Sequence, residues 1–402
     1  MNRRTLLTSS ALTALSYRRV LGANDRVQLG LIGCGNRGIH ALMKEALSFR
    51  EETNIDFAAV CDIWRQHAEE AAQLVKQKTN VEPRQVKAYR ELLALKEIDA
   101  VLIATPDHQH ATMLTDAVRA GKDAYCEKPL AMEMKDLLTC VDAVKKSDRV
   151  VQMGTQIRSL PSSMAAKRFI QEGGLGKVIK IEQERNGLEP YWHRYGERPL
   201  MESDTDWRAF LFNRKYRPWD AQQHAGWFGY RDFSRGAQSN LMVHFIDLVH
   251  HITGAQFPKR CVTLGNNFVY KEAYTSVDSV ETILEYDDFL VRYSTAFGTG
   301  AGNYLKFFGT RGTMDASNWN GKPFLIDPNR AKEPLPPGTT IPEMESDPHM
   351  LNFLKCLRTR QQPNAPIDAG FSHSIAVILA DEALIRGRRM VYDSAKRVIK
   401  EG

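Results

Sequence analysis

A chain of 402 residues with 43% hydrophobic and 25% charged residues can build two domains with separate cores, and its composition excludes a disordered or fibrous class. Its formal net charge is +6, but the first 23 residues hold Arg3, Arg4, Arg18 and Arg19 and no acid, so removing them leaves +2 and no argument for a nucleic-acid partner. No apolar run approaches the ~20 residues of a membrane-spanning helix.

Taken in order, residues 1–23 place paired arginines before a short small-residue run, Leu6–Leu15, as in a twin-arginine export signal. Such a signal implies a periplasmic or exported protein; an uncleaved tail on a cytoplasmic protein is the alternative. Cys34, Cys61, Cys126, Cys140, Cys261 and Cys356 lack zinc-type spacing and read as packed thiols, and no metal is expected.

Val27–Ile32 reads as a buried strand running into Gly33, Gly35 and Gly38 in GxGxxG spacing, with Asn36 and Arg37 between them and a helical pattern beyond. The first glycine permits a tight turn, the second admits a pyrophosphate, and the third lets helix pack on strand. A second strand, Asp56–Cys61, ends in Asp62, which either accepts hydrogen bonds from a ribose 2′-hydroxyl or caps the following helix. A carboxylate there favours NAD; Arg65 nearby keeps NADP as the alternative.

Helix Trp64–Lys78, strand Val86–Tyr89 and a short helix lead to the apolar run Ala100–Ala104, typical of a central parallel strand. That run stops at Thr105-Pro106-Asp107-His108. Helix Ala111–Ala120 and strand Asp123–Cys126 then reach Glu127-Lys128-Pro129, and helix Lys135–Lys146 and strand Val150–Gly154 follow. The alternation predicts a doubly wound parallel sheet over 24–152, with ligands at the carboxyl ends of its strands. Thr105, Pro106, His108 and Glu127 fall at such ends and are read as cofactor contacts; Asp107 is read as a helix cap.

Residues 153–402 have another texture. Val178–Glu184, Val262–Tyr270, Ser279–Tyr286, Leu290–Ala296 and Leu305–Gly309 alternate apolar and polar residues, as in a one-faced, mainly antiparallel sheet. The aromatic stretch Tyr191–Ser234 is irregular. Ser239–Ile252 reads as a helix closed by Gly254, and Asp347–Leu357 and Phe371–Arg386 as two more.

Lys128, half-buried beside a nicotinamide, can exchange a proton or hydrogen-bond a reacting hydroxyl; a solvated lysine is the alternative. Asn240, His244, Asp247 and His251 share one face of the 239–252 helix by i, i+3 and i+4 spacing. Hydride loss from an alcohol requires a proton acceptor, and His244 is the natural one. Arg158, Tyr230, His244 and Asp247 are candidate substrate contacts.

The motifs VQLGLIGCGNRG, CD at 61–62, VLIATPDHQH, YCEKPL, MGTQIRS and RGAQSNLMVHFIDLVHHITG resemble the Gfo/Idh/MocA family, named for glucose–fructose oxidoreductase and inositol dehydrogenase. The resemblance covers nearly everything after residue 24. It implies a Rossmann domain joined to an α/β domain with a large, mainly antiparallel open sheet that often forms a homo-oligomer interface, in a dimer or tetramer. The family's EKP lysine maps to Lys128 and its acid/base histidine to His244. Members commonly have Asp four residues before that histidine, where this chain has Asn240, and often Gly two before it, where this chain has Met242. An amide orients a hydroxyl but takes no proton, which leaves His244 as the base. Asp247 matches the family's trailing acid.

The expected function is NAD-dependent hydride transfer at a secondary hydroxyl of a sugar, cyclitol or glycoside, with His244 as acid/base and Lys128 and Asn240 assisting. The alternatives are a redox-neutral glycoside hydrolase or epimerase that recycles its cofactor through a keto intermediate, and a non-catalytic NAD-binding sensor.

Overall fold

The computed structural model describes the chain except residues 1–25, 196–199, 272–273, 319–324, 329 and 343, so the leader expected at 1–23 lies outside the described residues. Six strands, β1 (Val27–Ile32), β2 (Ile55–Cys61), β3 (Arg84–Val86), β4 (Ala100–Ile103), β5 (Asp123–Cys126) and β6 (Val151–Met153), form one sheet in the order β3-β2-β1-β4-β5-β6. Every pairing in it is parallel. The order reverses between β1 and β4, and the crevice at that switch point is where doubly wound sheets bind ligands. Period-two alternation assigns the two faces. Leu29 and Leu31 pack into one core layer and Ile32 and Ile103 into the other.

The second sheet holds nine strands among the described residues: β7 (Val178–Glu184), β8 (Arg260–Asn266), β9 (Ser279–Glu285), β10 (Leu290–Ala296), β11 (Tyr304–Gly309), β12 (Thr313–Asp315), β13 (Leu325–Asp327), β14 (Met390–Asp393) and β15 (Val398–Glu401). Their order is β13-β12-β11-β7-β10-β9-β8-β14-β15. Only the β7–β10 pairing is parallel. The expected α/β class is therefore observed, enlarged by four short strands beyond those read from alternation. Three or four residues are too few to show a period.

The helices Val243–Thr253 and Ile367–Arg386 cover the inner face of this sheet, and their apolar residues share a core with Ile181, Leu284 and Phe307. Helix His349–Thr359 departs from a simple division at 152. Its Met350, Phe353 and Leu354 enter the first sheet's core beside Leu29, Phe57 and Tyr125. The chain thus returns to its N-terminal half near its end.

Candidate active site

The glycine turn is built as its spacing requires. Gly33 has φ +89°, and a Cβ there would stand 2.6 Å from the Ala104 carbonyl oxygen. Gly38 lets the helix sit on the turn: a Cβ there would be 2.0 Å from the Gly33 oxygen. The helix begins with a wide, π-type turn over Gly38–Met43. Gly38 is buried under this packing and does not line the cleft.

Asp62, at the exit of β2, is held by two backbone amides and does not cap the following helix, whose N-cap is Trp64. Its Oδ2 accepts the Cys34 amide at 2.6 Å, and its Oδ1 accepts the Trp64 amide at 2.8 Å, just before helix Arg65–Thr79. It also lines a cleft of about 530 Å³, within the usual range of small-molecule sites. Gly33, Gly35, Asn36, Arg37, Thr105 and Pro106 line the same cleft. Glycine turn, acid and the next strand exit therefore surround one space, as a dinucleotide requires. Arg65 turns away, pairing with Glu69 and Asp204.

Arg37 crosses the top of the sheet. Its Nε donates to Glu127 Oε1 at 2.7 Å. Gly154 makes room for that carboxylate, since a Cβ there would be 2.7 Å from it. The Lys128–Pro129 peptide is cis. Lys128 Nζ donates to the carbonyl oxygen of Asn240 at 3.3 Å and to its side-chain Oδ1 at 3.2 Å. Burial holds the Lys128 ammonium below the usual lysine range, against the opposing pull of Asp107 and Glu127.

Asn240 lies in a second π-type turn, Gln238–Met242, directly before helix Val243–Thr253. Wide turns of this kind gather at functional sites. The turn splits the polar face that regular helical spacing predicts. Asn240 faces Lys128, while Asp247 and His251 gather on Arg158. Arg158 Nε donates to Asp247 Oδ2 at 2.5 Å, its Nη1 donates to His251 Nδ1 at 3.3 Å, and His373 Nδ1 donates to Asp247 Oδ1 at 3.2 Å. Burial raises Asp247's proton affinity, but Arg158 and His373 overcome it and hold the carboxylate well below its ordinary range. Arg158 and Asp247, expected at the substrate, thus satisfy each other in a buried pair.

His244 stands between these two groups. Burial first, then the charges of Lys128 and Arg37, push its imidazole well below the ordinary histidine range, so it is neutral near pH 7. Its Nδ1 is buried with no hydrogen-bond partner among the described residues. A neutral imidazole with an unpaired nitrogen beside a lysine can receive a hydroxyl proton.

Two expected contacts are placed elsewhere. His108 Nε2 donates to the Phe210 carbonyl at 2.9 Å, and its ring meets Phe210, Phe212 and Phe233. Burial pushes its imidazole down to about 3. It fastens the second half of the chain to β4 instead of lining the cleft, because its short helical turn aims it outward from the strand exit. Tyr230 packs with Trp207, Phe210, Leu211 and Phe233, and burial raises its hydroxyl to about 12.

Sequence reading missed two features. Asp107 caps nothing; Pro106 precedes the turn and Asp107 reaches the second half of the chain. There Ser234 Oγ, Ser239 Oγ and Asn240 Nδ2 donate to its Oδ2 at 2.9, 2.8 and 3.2 Å. Residues 204–212 also cross the cleft's edge. Thr205 bridges Trp64, the Asp206 amide donates to the Ile63 carbonyl at 3.0 Å, and Arg208, Ala209, Phe210 and Phe212 join the cleft lining. No periodic signal marks such a strap. Among the described residues no cluster of three or more His, Cys, Asp or Glu side chains is arranged to hold a metal ion.

Residues 27–155 match the model of an oxidoreductase family with an NAD-binding Rossmann fold, and residues 208–315 match the GFO/IDH/MocA C-terminal domain. The two matches take in more than half of the chain. It belongs to the Gfo/Idh/MocA oxidoreductase family.

A Lactiplantibacillus plantarum inositol 2-dehydrogenase/D-chiro-inositol 3-dehydrogenase is 28% identical over 40% of this chain and 45% of its own length. A Shewanella pealeana glycosyl hydrolase family 109 protein is 25% identical over 48% of this chain and 41% of its own. The chain thus spans less than half the length of these curated relatives. Among solved structures, a levoglucosan dehydrogenase in complex with NADH and levoglucosan superposes with TM-score 0.69 at 16% identity, covering 91% of this chain and 99% of that one. A Kribbella flavida oxidoreductase domain protein gives TM-score 0.70 at 17% identity, covering 92% and 100%. These likenesses show the fold.

Proposed function

We propose that this chain is an NAD-dependent oxidoreductase acting on a secondary hydroxyl of a sugar, cyclitol or glycoside. The observation that carries the reading is the pairing of His244, neutral and unpartnered at Nδ1, with Lys128, whose ammonium lies against Asn240 four residues earlier. A bound nicotinamide would supply the hydride acceptor. Gly33, Gly35 and Asn36 would cradle the pyrophosphate, and Asp62 would meet the adenosine ribose. His244 takes the hydroxyl proton, and Lys128 stabilises the alkoxide that develops as the proton leaves. Asn240 holds Lys128 in place without itself taking a proton.

Asp62 supports NAD over NADP, because a carboxylate repels a 2′-phosphate. Lys87, Arg90 and Arg208 also line the cleft, so preference is read by titrating both nucleotides. NAD is expected to bind at least about tenfold tighter, a difference of 1.4 kcal/mol; tighter NADP binding would overturn the choice.

A redox-neutral glycosidase or epimerase is the second reading, favoured by the strap at 204–212. Its hydrogen bonds, together with Arg65–Asp204 and the Gln109 amide bonded to the Phe210 carbonyl at 3.0 Å, restrain release of a nucleotide beneath it. The export expectation favours a retained cofactor as well. Turnover of cyclitols, sugars and chromogenic glycosides, followed both by NADH absorbance and by released chromophore, separates the two. NADH accumulation supports the dehydrogenase; chromophore release without net NADH supports the alternative. Failure of both, with cofactor bound, leaves the sensor.

The outer face of the second sheet is proposed as a homo-oligomer interface. It exposes Val262, Leu264, Ile283 and Leu290 among charges of both signs, including Arg260, Glu281, Glu285 and Arg292. Apolar residues grouped on one face of a sheet mark association surfaces. Light scattering should give a dimer or tetramer, and Leu264→Glu with Ile283→Lys should shift it towards monomer; a monomeric parent chain would contradict the proposal.

A further inference from the structure

The family resemblance leads to the expectation of a carboxylate at position 240, beside the lysine, and this chain has an amide there. The structure nevertheless brings a carboxylate to that amide, delivered from the other half of the chain. Asp107 leaves the exit of β4 and is only 2% exposed. Its Oδ2 receives Asn240 Nδ2, while Asn240 Oδ1 receives Lys128 Nζ. Asn240 therefore bridges an ammonium and a carboxylate, each of its polar atoms turned the correct way for the charge that it meets. Ser234 and Ser239 complete the cage on the same oxygen.

We propose that Asp107, acting through Asn240, is the counter-charge that keeps Lys128 protonated and positioned for alkoxide stabilisation. The negative charge which the family resemblance leads one to expect on the helix stands instead at the strand exit, with an amide on the helix. Asp107 touches neither substrate nor cofactor and is a positioning residue. The assignment rests on the oxidoreductase reading for its catalytic meaning, but the charge pairing stands on geometry alone.

The groups that bear on this pair come from every surrounding element. Glu127, on the lysine's own segment, and Asp107 favour the ammonium; Arg37 from the glycine turn opposes it. His244 on the helix feels the lysine's charge. His110, whose ring spans the carbonyls of Pro129 and Thr105, favours the Asp107 carboxylate, as do Lys128 and the two serines, while burial raises its proton affinity and wins. Burial and pairing of this kind make the two groups sensitive to each other: removing the carboxylate leaves Lys128 with Glu127 as its remaining acidic neighbour.

The test compares the full-length protein with D107N and with the double exchange D107N/N240D, which restores one carboxylate and one amide with their places reversed. Reductive methylation with ¹³C-formaldehyde gives each lysine a dimethyl signal, assigned for Lys128 by its loss in Lys128→Arg. Its pH titration is read by NMR without turnover. In D107N the Lys128 midpoint should fall below that of the parent chain, and in the double exchange it should return. With an active substrate in hand, D107N should lower kcat about tenfold or more, part of the ~10²–10⁴ of general acid–base assistance, and the exchange should recover most of it. An unmoved Lys128 midpoint in folded D107N would overturn the assignment. So would a double exchange that titrates like D107N. A parent chain inactive on every alcohol, with the midpoint shift intact, would instead sink the oxidoreductase reading and leave the charge pairing standing.

Discussion

His244→Ala should lower kcat by about 10²–10⁴ while the nucleotide stays bound, because the substitution removes the proton acceptor and none of the groups that line the glycine cleft. The physical basis is the state of the imidazole. Burial, Lys128 and Arg37 all disfavour its protonated form, so near neutral pH it has a free site for a proton. Histidine Nδ1 is ordinarily satisfied when buried, and here it is not. His224 and His250 also leave Nδ1 buried without a partner, so what sets His244 apart is its place beside the Lys128 charge. Measuring kcat alongside the nucleotide content of the purified variant checks the expectation. Unchanged turnover, or loss of nucleotide without a change in kcat per occupied site, would contradict it.

Thermal stability should collapse between about pH 6.5 and pH 4.5. His108, His250 and His251 are held at about 3 and His349 at about 4, each mainly by burial. In the unfolded chain each titrates near ~6.5. Below that value the unfolded state binds protons which the folded state refuses, so stability falls as pH falls. At pH 5 each such group costs about 2 kcal/mol, and four of them cost several kcal/mol even after allowance for water reaching the interior. That is comparable with the whole ~5–15 kcal/mol of a typical domain. Asp107 and Glu45, with their raised affinity for a proton, act in the opposite direction but are two groups against four. Asp247 adds to acid loss only at lower pH, because its carboxyl is depressed below the ordinary range. Calorimetric Tm from pH 7.5 to 4.5 reads the effect; a flat profile would show that these histidines are not held neutral by the fold.

Local chemistry explains what the sequence discloses. Gly33 and Gly38 are recognisable because the turn tolerates no side chain at either, and Asp62 because the strand that carries it ends in a polar residue at a fixed distance from the glycines. Glu127, Lys128 and Asn240 follow from strand ends and helical spacing. What spacing cannot disclose is which partner a polar residue finds more than 80 positions away. Asp107 resembles any cap until the fold turns it towards Ser234, Ser239 and Asn240. Arg158 and Asp247, 89 residues apart, each look available until they meet. His108 and Tyr230 belong to an aromatic cluster that joins the two halves, and the irregular stretch that supplies the rest of that cluster has no period to read. Helix His349–Thr359 is legible as a helix, but its return to the first sheet depends on contacts some 300 residues away in sequence, such as the 3.0 Å bond from Arg358 Nε to the Thr53 carbonyl.

The most direct test is a crystal structure of the full chain with NADH and an unreactive polyol bound. The nicotinamide ring should lie between Lys128 and His244, with one polyol hydroxyl in hydrogen-bond reach of both. A nicotinamide that leaves either group facing a different cavity would contradict the shared site on which the proposed chemistry depends.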